Sequence, residues 1–139
     1  MGWLFWSLLS ACFAAATAIL AKLGVEGVDS NFATAVRTTV VVVFTWLVAY
    51  MMRTPGSLRV SSNKTWLFLA LSGIATGLSW LCYFRALQLG PASRVAPIDK
   101  LSVALVILCG ALFLGEKLTW GKAIGGALIV AGAIAVALD

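Results

Sequence analysis

The chain has 139 residues, 62% of them hydrophobic and 11% charged, with no histidine and a net charge of +5. A soluble domain of this size could not hide that much apolar surface from water, so the composition excludes a water-soluble fold and implies a bilayer. The basic residues are dispersed rather than clustered, which suits membrane orientation and headgroup contact and not nucleic-acid binding.

A helix needs about 20 apolar residues to cross roughly 30 Å of hydrocarbon. Five stretches reach that length. The first runs from Trp3 to Leu23 and ends at Gly24. Small residues at Ala14-Ala15-Ala16-Thr17-Ala18 resemble a signal-peptide cleavage site, but no lysine or arginine precedes them, so the stretch reads as a retained helix. The second runs from Phe32 to Met52, with Ser30 or Asn31 as N-cap. A polar connection follows from Arg53 to Lys64, with Thr54-Pro55-Gly56 and Ser61-Ser62-Asn63 inside it. The third runs from Thr65 to Leu89, where Gly90-Pro91 breaks it. The fourth runs from Ser93 to Leu114, and the fifth from Thr119 to Leu138 after Gly115-Glu116-Lys117. The predicted fold is all-α, one integral membrane bundle over residues 1–139, with neighbouring helices antiparallel across short loops. A barrel is excluded because alternating strand-length segments are missing.

Trp3, Trp6, Trp66 and Trp120 lie near helix starts, where amphipathic rings prefer the interface. Trp80 sits near the middle of the third helix, so its N–H needs tight packing, a polar partner or a cavity. Cys12, Cys82 and Cys109 lie in apolar runs without a Cys-x-x-Cys pair and read as buried small hydrophobes. No histidine or acid cluster points to a metal, no cofactor is implied, and no nucleophile–base pair or phosphate loop points to an enzyme.

An odd number of crossings places the termini on opposite sides. Arg53, Arg59, Lys64, Lys117 and Lys122 fall on the N-terminal side; Lys22, Arg94, Arg37, Arg85 and Lys100 fall toward the other. Loop residues alone favour a cytoplasmic N-terminus, while the full count is balanced, so insertion in both orientations is open.

Polar and small stripes recur at helical spacing. Ser7, Ser10, Ala14, Thr17 and Ala21 share a face of the first helix, and Ser72, Thr76, Ser79 and Tyr83 share one on the third, beside Gly73 and Gly77. Gly121, Gly125 and Gly132 make a smooth groove on the fifth. Small residues let helices approach closely in lipid. The hydroxyls of the third helix need partners or water, so cavity lining stands beside packing there.

Arg85 lies about 7 Å inside the end of the third helix and Asp99 about 9 Å inside the start of the fourth, which makes an ion pair geometrically reasonable. Arg37 reaches comparable depth in the second helix, and Lys100 points about 100° away from Asp99 around an ideal helix. Snorkelling is the competing reading for the arginines, whereas Asp99 is too short for it and is the leading functional candidate. Pro97 removes a donor and frees the carbonyl of Ser93, as in the interrupted helices of many transporters, although proline in a first turn is also ordinary.

Tyr83-Phe84-Arg85-Ala86-Leu87 through Gly90-Pro91-Ala92-Ser93, Leu114-Gly115-Glu116-Lys117-Leu118, and Gly125-Gly126-Ala127-Leu128-Ile129-Val130-Ala131-Gly132 resemble the EamA-like domain of the drug/metabolite transporter superfamily. Many members carry two such domains as inverted repeats and move metabolites or amino acids out of bacterial cells. The resemblance therefore implies a secondary transporter of small metabolites in the bacterial inner membrane, probing both sides by alternating access. A single domain would act with an antiparallel second copy, or with a separately encoded half-size homologue. Asp99, Lys100, Arg85, Arg37, Trp80, Tyr83, Ser79 and Thr76 are the expected cavity residues, Asp99 the expected proton-coupling acid, and Gly73, Gly77, Gly121, Gly125 and Gly132 the expected packing positions. The charge excess favours a solute with a carboxylate, held by Arg37 or Lys100. Pro97-Ile98-Asp99-Lys100 departs from the less charged pattern of many relatives, and no acid lies between Trp3 and Leu23, unlike the small multidrug resistance proteins. A non-transporting scaffold or regulatory subunit is the alternative; it requires the intramembrane charges to pair off completely.

Overall fold

The computed structural model describes residues 2–52 and 63–139. Arg53, Arg59, Thr54-Pro55-Gly56 and Ser61-Ser62 of the polar connection lie outside the described residues. The described chain is helical, with α1 at Trp3–Val25, α2 at Ser30–Met51, α3 at Asn63–Leu89, α4 at Ala92–Asp99, α5 at Leu101–Phe113 and α6 at Trp120–Leu138. Five segments are long and apolar enough to span a membrane, with α4 and α5 counting as one of 22 residues, Ala92–Phe113. Leu20, Phe44, Leu105 and Leu128 are each more than 60% exposed, as expected where lipid is the solvent.

The chain divides into two compact units, residues 24–88 and a second unit made of the residues up to Leu23 with Leu89–Asp139. In the first, the N-cap of α2 falls one residue ahead of the predicted Ser30 or Asn31. Asp29 is the N-cap, and its carboxylate accepts from the backbone N–H of Asn31 at 3.0 Å and of Phe32 at 2.9 Å. A carboxylate beats Ser30 or Asn31 here because its charge also complements the positive helix end. Gly27 turns the chain ahead of it with φ +74°. The packed face of α2 carries Ser30, Ala33, Thr34, Arg37, Thr38 and Val41, while Val36, Val40, Val43 and Phe44 are exposed. Thr34 and Thr38 return their hydroxyls to the carbonyls of Ser30 and Thr34, both at 2.7 Å, so they enter that face already satisfied.

In the second unit α6 packs along both α4 and α5. The close approach falls at Gly126, where an added Cβ would meet Ile107 Cδ1 at 3.3 Å. Nothing lies within 4 Å of such a Cβ at Gly125 or Gly132, and at Gly121 only Thr119 Oγ1, at 4.0 Å. The predicted groove is thus displaced by one residue, which moves it about 100° around the helix. The α5–α6 connection is built on Gly110 and Gly115. Gly115 has φ +68°, and the N–H groups of Leu114 and Glu116 converge on the Gly110 carbonyl at 3.1 and 3.0 Å. Glu116 folds its carboxyl carbon to 3.5 Å from where a Cβ of residue 110 would stand, and Lys122 donates to its Oε2 at 2.9 Å.

Cys12, Cys82 and Cys109 are free and exposed rather than buried. Their apolar neighbours are lipid-facing, so an apolar run did not mean an interior position. Trp3, Trp66 and Trp120 stay near helix starts and are 80%, 61% and 85% exposed.

Replacing Gly126 by valine should cost about 1–3 kcal/mol through overpacking against Ile107, read as a lower unfolding temperature in detergent. Gly125→Val should be close to silent; equal losses at both positions would place the helix contact elsewhere.

Candidate functional site

The first cluster lies within residues 24–88. Arg37 sits two turns into α2, on its packed face, and its guanidinium carbon stands over the Trp80 ring, 4.2 Å from the centroid. The Phe84 ring lies 5.5 Å away, and Tyr83 is within electrostatic reach. Trp80, Phe84 and Leu87 follow one another at helical spacing on α3; Trp80 is half-buried and the other two are buried. The indole near mid-helix thus has a cation on its face. Arg37 is not snorkelling to the interface, since it is held against these rings.

Arg85 and Asp99 each have a partner within their own unit. Arg85 donates to Gln88 Oε1 at 2.9 Å, one helical turn away. Gln88 in turn donates to the carbonyl of Val28 in the α1–α2 turn. Asp99 accepts from Lys100 at 3.1 Å. On an ideal helix these neighbours would diverge, but the helix stops between them. Lys100 keeps right-handed dihedrals, φ −73° and ψ −6°, but stands between α4 and α5, where the bonding tightens to one turn of three residues. There the Lys100 N–H donates to the Pro97 carbonyl at 3.0 Å, and Ser102 Oγ donates to the Asp99 carbonyl at 2.8 Å. Pro97 removes a helical donor three residues before the break. The second cluster is therefore an interrupted span, with a carboxylate and an ammonium at the interruption.

The hydroxyl stripe of α3 does not join the Arg37 cluster. Ser72, Thr76 and Ser79 are exposed, and Thr76 donates to the Ser72 carbonyl at 2.9 Å; only Tyr83 turns to a half-buried position. Nothing lies within 4 Å of a Cβ at Gly73 or Gly77. Phe84, Gln88 and Lys22 were not singled out by sequence, although Phe84 stands one turn from Trp80. Lys22 donates to the Gly90 carbonyl at 3.1 Å, satisfying an acceptor where α3 ends.

Among the described residues, helices with five potential spans, one of them broken beside a charged pair, have the build of a multi-pass membrane protein. The chain belongs to the EamA-like transporter family, whose profile matches residues 1–138. It is 52% identical over 139 residues to the uncharacterized transporter in the cobO 3′ region of Sinorhizobium sp, with 98% of this chain and 96% of the relative covered. It is also similar to a probable 4-amino-4-deoxy-L-arabinose-phosphoundecaprenol flippase subunit, ArnF of Erwinia tasmaniensis, at 42% identity over 72 residues, covering 50% of this chain and 55% of that protein. The corresponding ArnE subunit of Yersinia pseudotuberculosis is 37% identical over 70 residues, covering 50% and 61%. No solved structure matches. The protein is therefore a multi-pass membrane protein of a transporter family, and the bacterial inner membrane fits its bacterial relatives.

Lys22→Met should strand the Gly90 carbonyl at the α3–α4 turn and cost about 1–3 kcal/mol of stability. Thermal unfolding in detergent, compared with Lys117→Met in the exposed loop, checks this; equal effects would remove Lys22 from that role.

Proposed function

We propose that the chain is one half of a secondary transporter that moves small polar metabolites, amino acids among them, by alternating access. The observation that carries this reading is the break at Lys100 beside Asp99. Interrupted spans let one part of a membrane protein rock against another while unwound backbone and charge face the solute or its coupling ion. Asp99 would carry the coupled proton, with Lys100 releasing it as the ion pair opens.

Pairing follows from the helix count. Five spans give no inverted twin within this length of chain, so a second half must supply it. An antiparallel copy is the simplest source, and the balanced distribution of basic residues supports insertion in both orientations. A separate half-size homologue is the other, supported by the word subunit in the names of the ArnE and ArnF relatives. Gly73 and Gly77 have open space beside them for such a helix contact. The scaffold reading requires every intramembrane charge to be paired, and the aromatic setting of Arg37 speaks against it.

Proteoliposomes containing a pH dye and given an amino-acid mixture should acidify or alkalinise through the wild type, and Asp99→Asn should abolish that flux. Unchanged flux in the variant would remove Asp99 from coupling; no flux in the wild type would count against amino acids as solutes. Reporters fused to both termini in intact cells should reveal two populations for the antiparallel homodimer, and a single one favours the heterodimer.

A further inference from the structure

The basic residues set within the spans are not equivalent. Lys100 is committed to Asp99 and Arg85 to Gln88. Arg37 differs: its guanidinium carbon stands over the rings of Trp80 and Phe84, with Tyr83 within electrostatic reach, and neither of those two rings accepts in-plane hydrogen bonds. Stacking uses the flat face of a guanidinium and leaves the N–H groups around its edge directed outward. A cation resting on aromatic rings, which take none of its N–H groups as in-plane hydrogen bonds, is preorganised for a two-oxygen acceptor.

We infer that Arg37, held on Trp80 and Phe84, is the oxyanion-binding residue of this protein, and that its ligand carries a carboxylate or phosphate group. This rests on the transporter reading above and narrows its solute to an anion or a zwitterion. It also assigns the carboxylate to Arg37 rather than Lys100. One consideration supports the site beyond charge. The cation sits well inside a span, where an exposed guanidinium is costly and a counter-anion offsets that cost. The oxyanion could come from a soluble metabolite or from a lipid-linked headgroup; both present the same two oxygens.

Binding separates this inference from transport. The full chain in detergent micelles is titrated with benzoate, inorganic phosphate and dodecyl phosphate, and tryptophan fluorescence is followed. Saturable quenching by benzoate or phosphate identifies a soluble source, and quenching by dodecyl phosphate alone identifies a headgroup. Arg37→Lys keeps the charge but loses the planar fork, so it should weaken binding about tenfold or more. Trp80→Phe keeps a ring and the fold and should weaken binding a few-fold, with the remaining tryptophans reporting. Arg94→Gln removes an equal charge elsewhere and should leave affinity unchanged. The inference is overturned by wild-type affinity in Arg37→Lys, by an equal loss in Arg94→Gln, or by no saturable binding of any of the three probes. If binding survives while liposome flux is absent, amino acids fail as solutes and the site stands.

Discussion

Hydrocarbon has no water to satisfy a stray N–H or carbonyl, and the placement of polar side chains in this chain follows from that constraint. At several points among the described residues where the backbone leaves helical geometry, a side chain or a tightened turn meets the freed groups. Asp29 takes the first N–H groups of α2, Lys22 reaches the Gly90 carbonyl beyond α3, and Gln88 reaches the carbonyl of Val28. Ser102 covers the Asp99 carbonyl at the break in the fourth span, and the Gly110 carbonyl collects two donors after α5. Polar residues near the membrane boundary are therefore mostly backbone partners.

That accounting isolates the residues with a different task. Arg85 is tied through Gln88 to the carbonyl of Val28 in a turn. Asp99 and Lys100 close on each other at an interruption, an arrangement that holds charge in place only while the local geometry lasts. Their pair is partly exposed, with side-chain exposures of 37% and 55%, so it adds little stability and can be exchanged for another partner. Arg37 is held by rings, which stabilise a cation without consuming its donors.

Apolar run length made the five spans legible, and the interruption was legible at Pro97 because a missing N–H has only local consequences. The caps were less so: Ser30 or Asn31 was the expected cap, and Asp29 takes that place after the turn at Gly27, all three being good capping residues. Sequence spacing also put four α3 hydroxyls on one face, but periodicity does not say which face is packed. The packed one carries Trp80, Phe84 and Leu87 instead. In lipid both faces of a helix are apolar, so the usual cue of a polar outside and an apolar inside is lost. The same loss explains why Gly126, and not Gly125, meets Ile107, and why the cysteines are exposed.

The odd number of spans connects these local findings to the proposed pair. Inverting a five-helix unit carries its terminal loops to the opposite face, so two inverted copies present every site residue once from each side of the membrane. In a homodimer each copy must then bring a complete set, an anion-holding Arg37 and an interrupted fourth span alike. In a heterodimer one half is free to lose either. The Sinorhizobium relative aligns over 96% of its own length, so a chain of this size recurs there. A chain that keeps both clusters retains what a symmetric pair would require of it, whereas specialised halves would need only one copy of each.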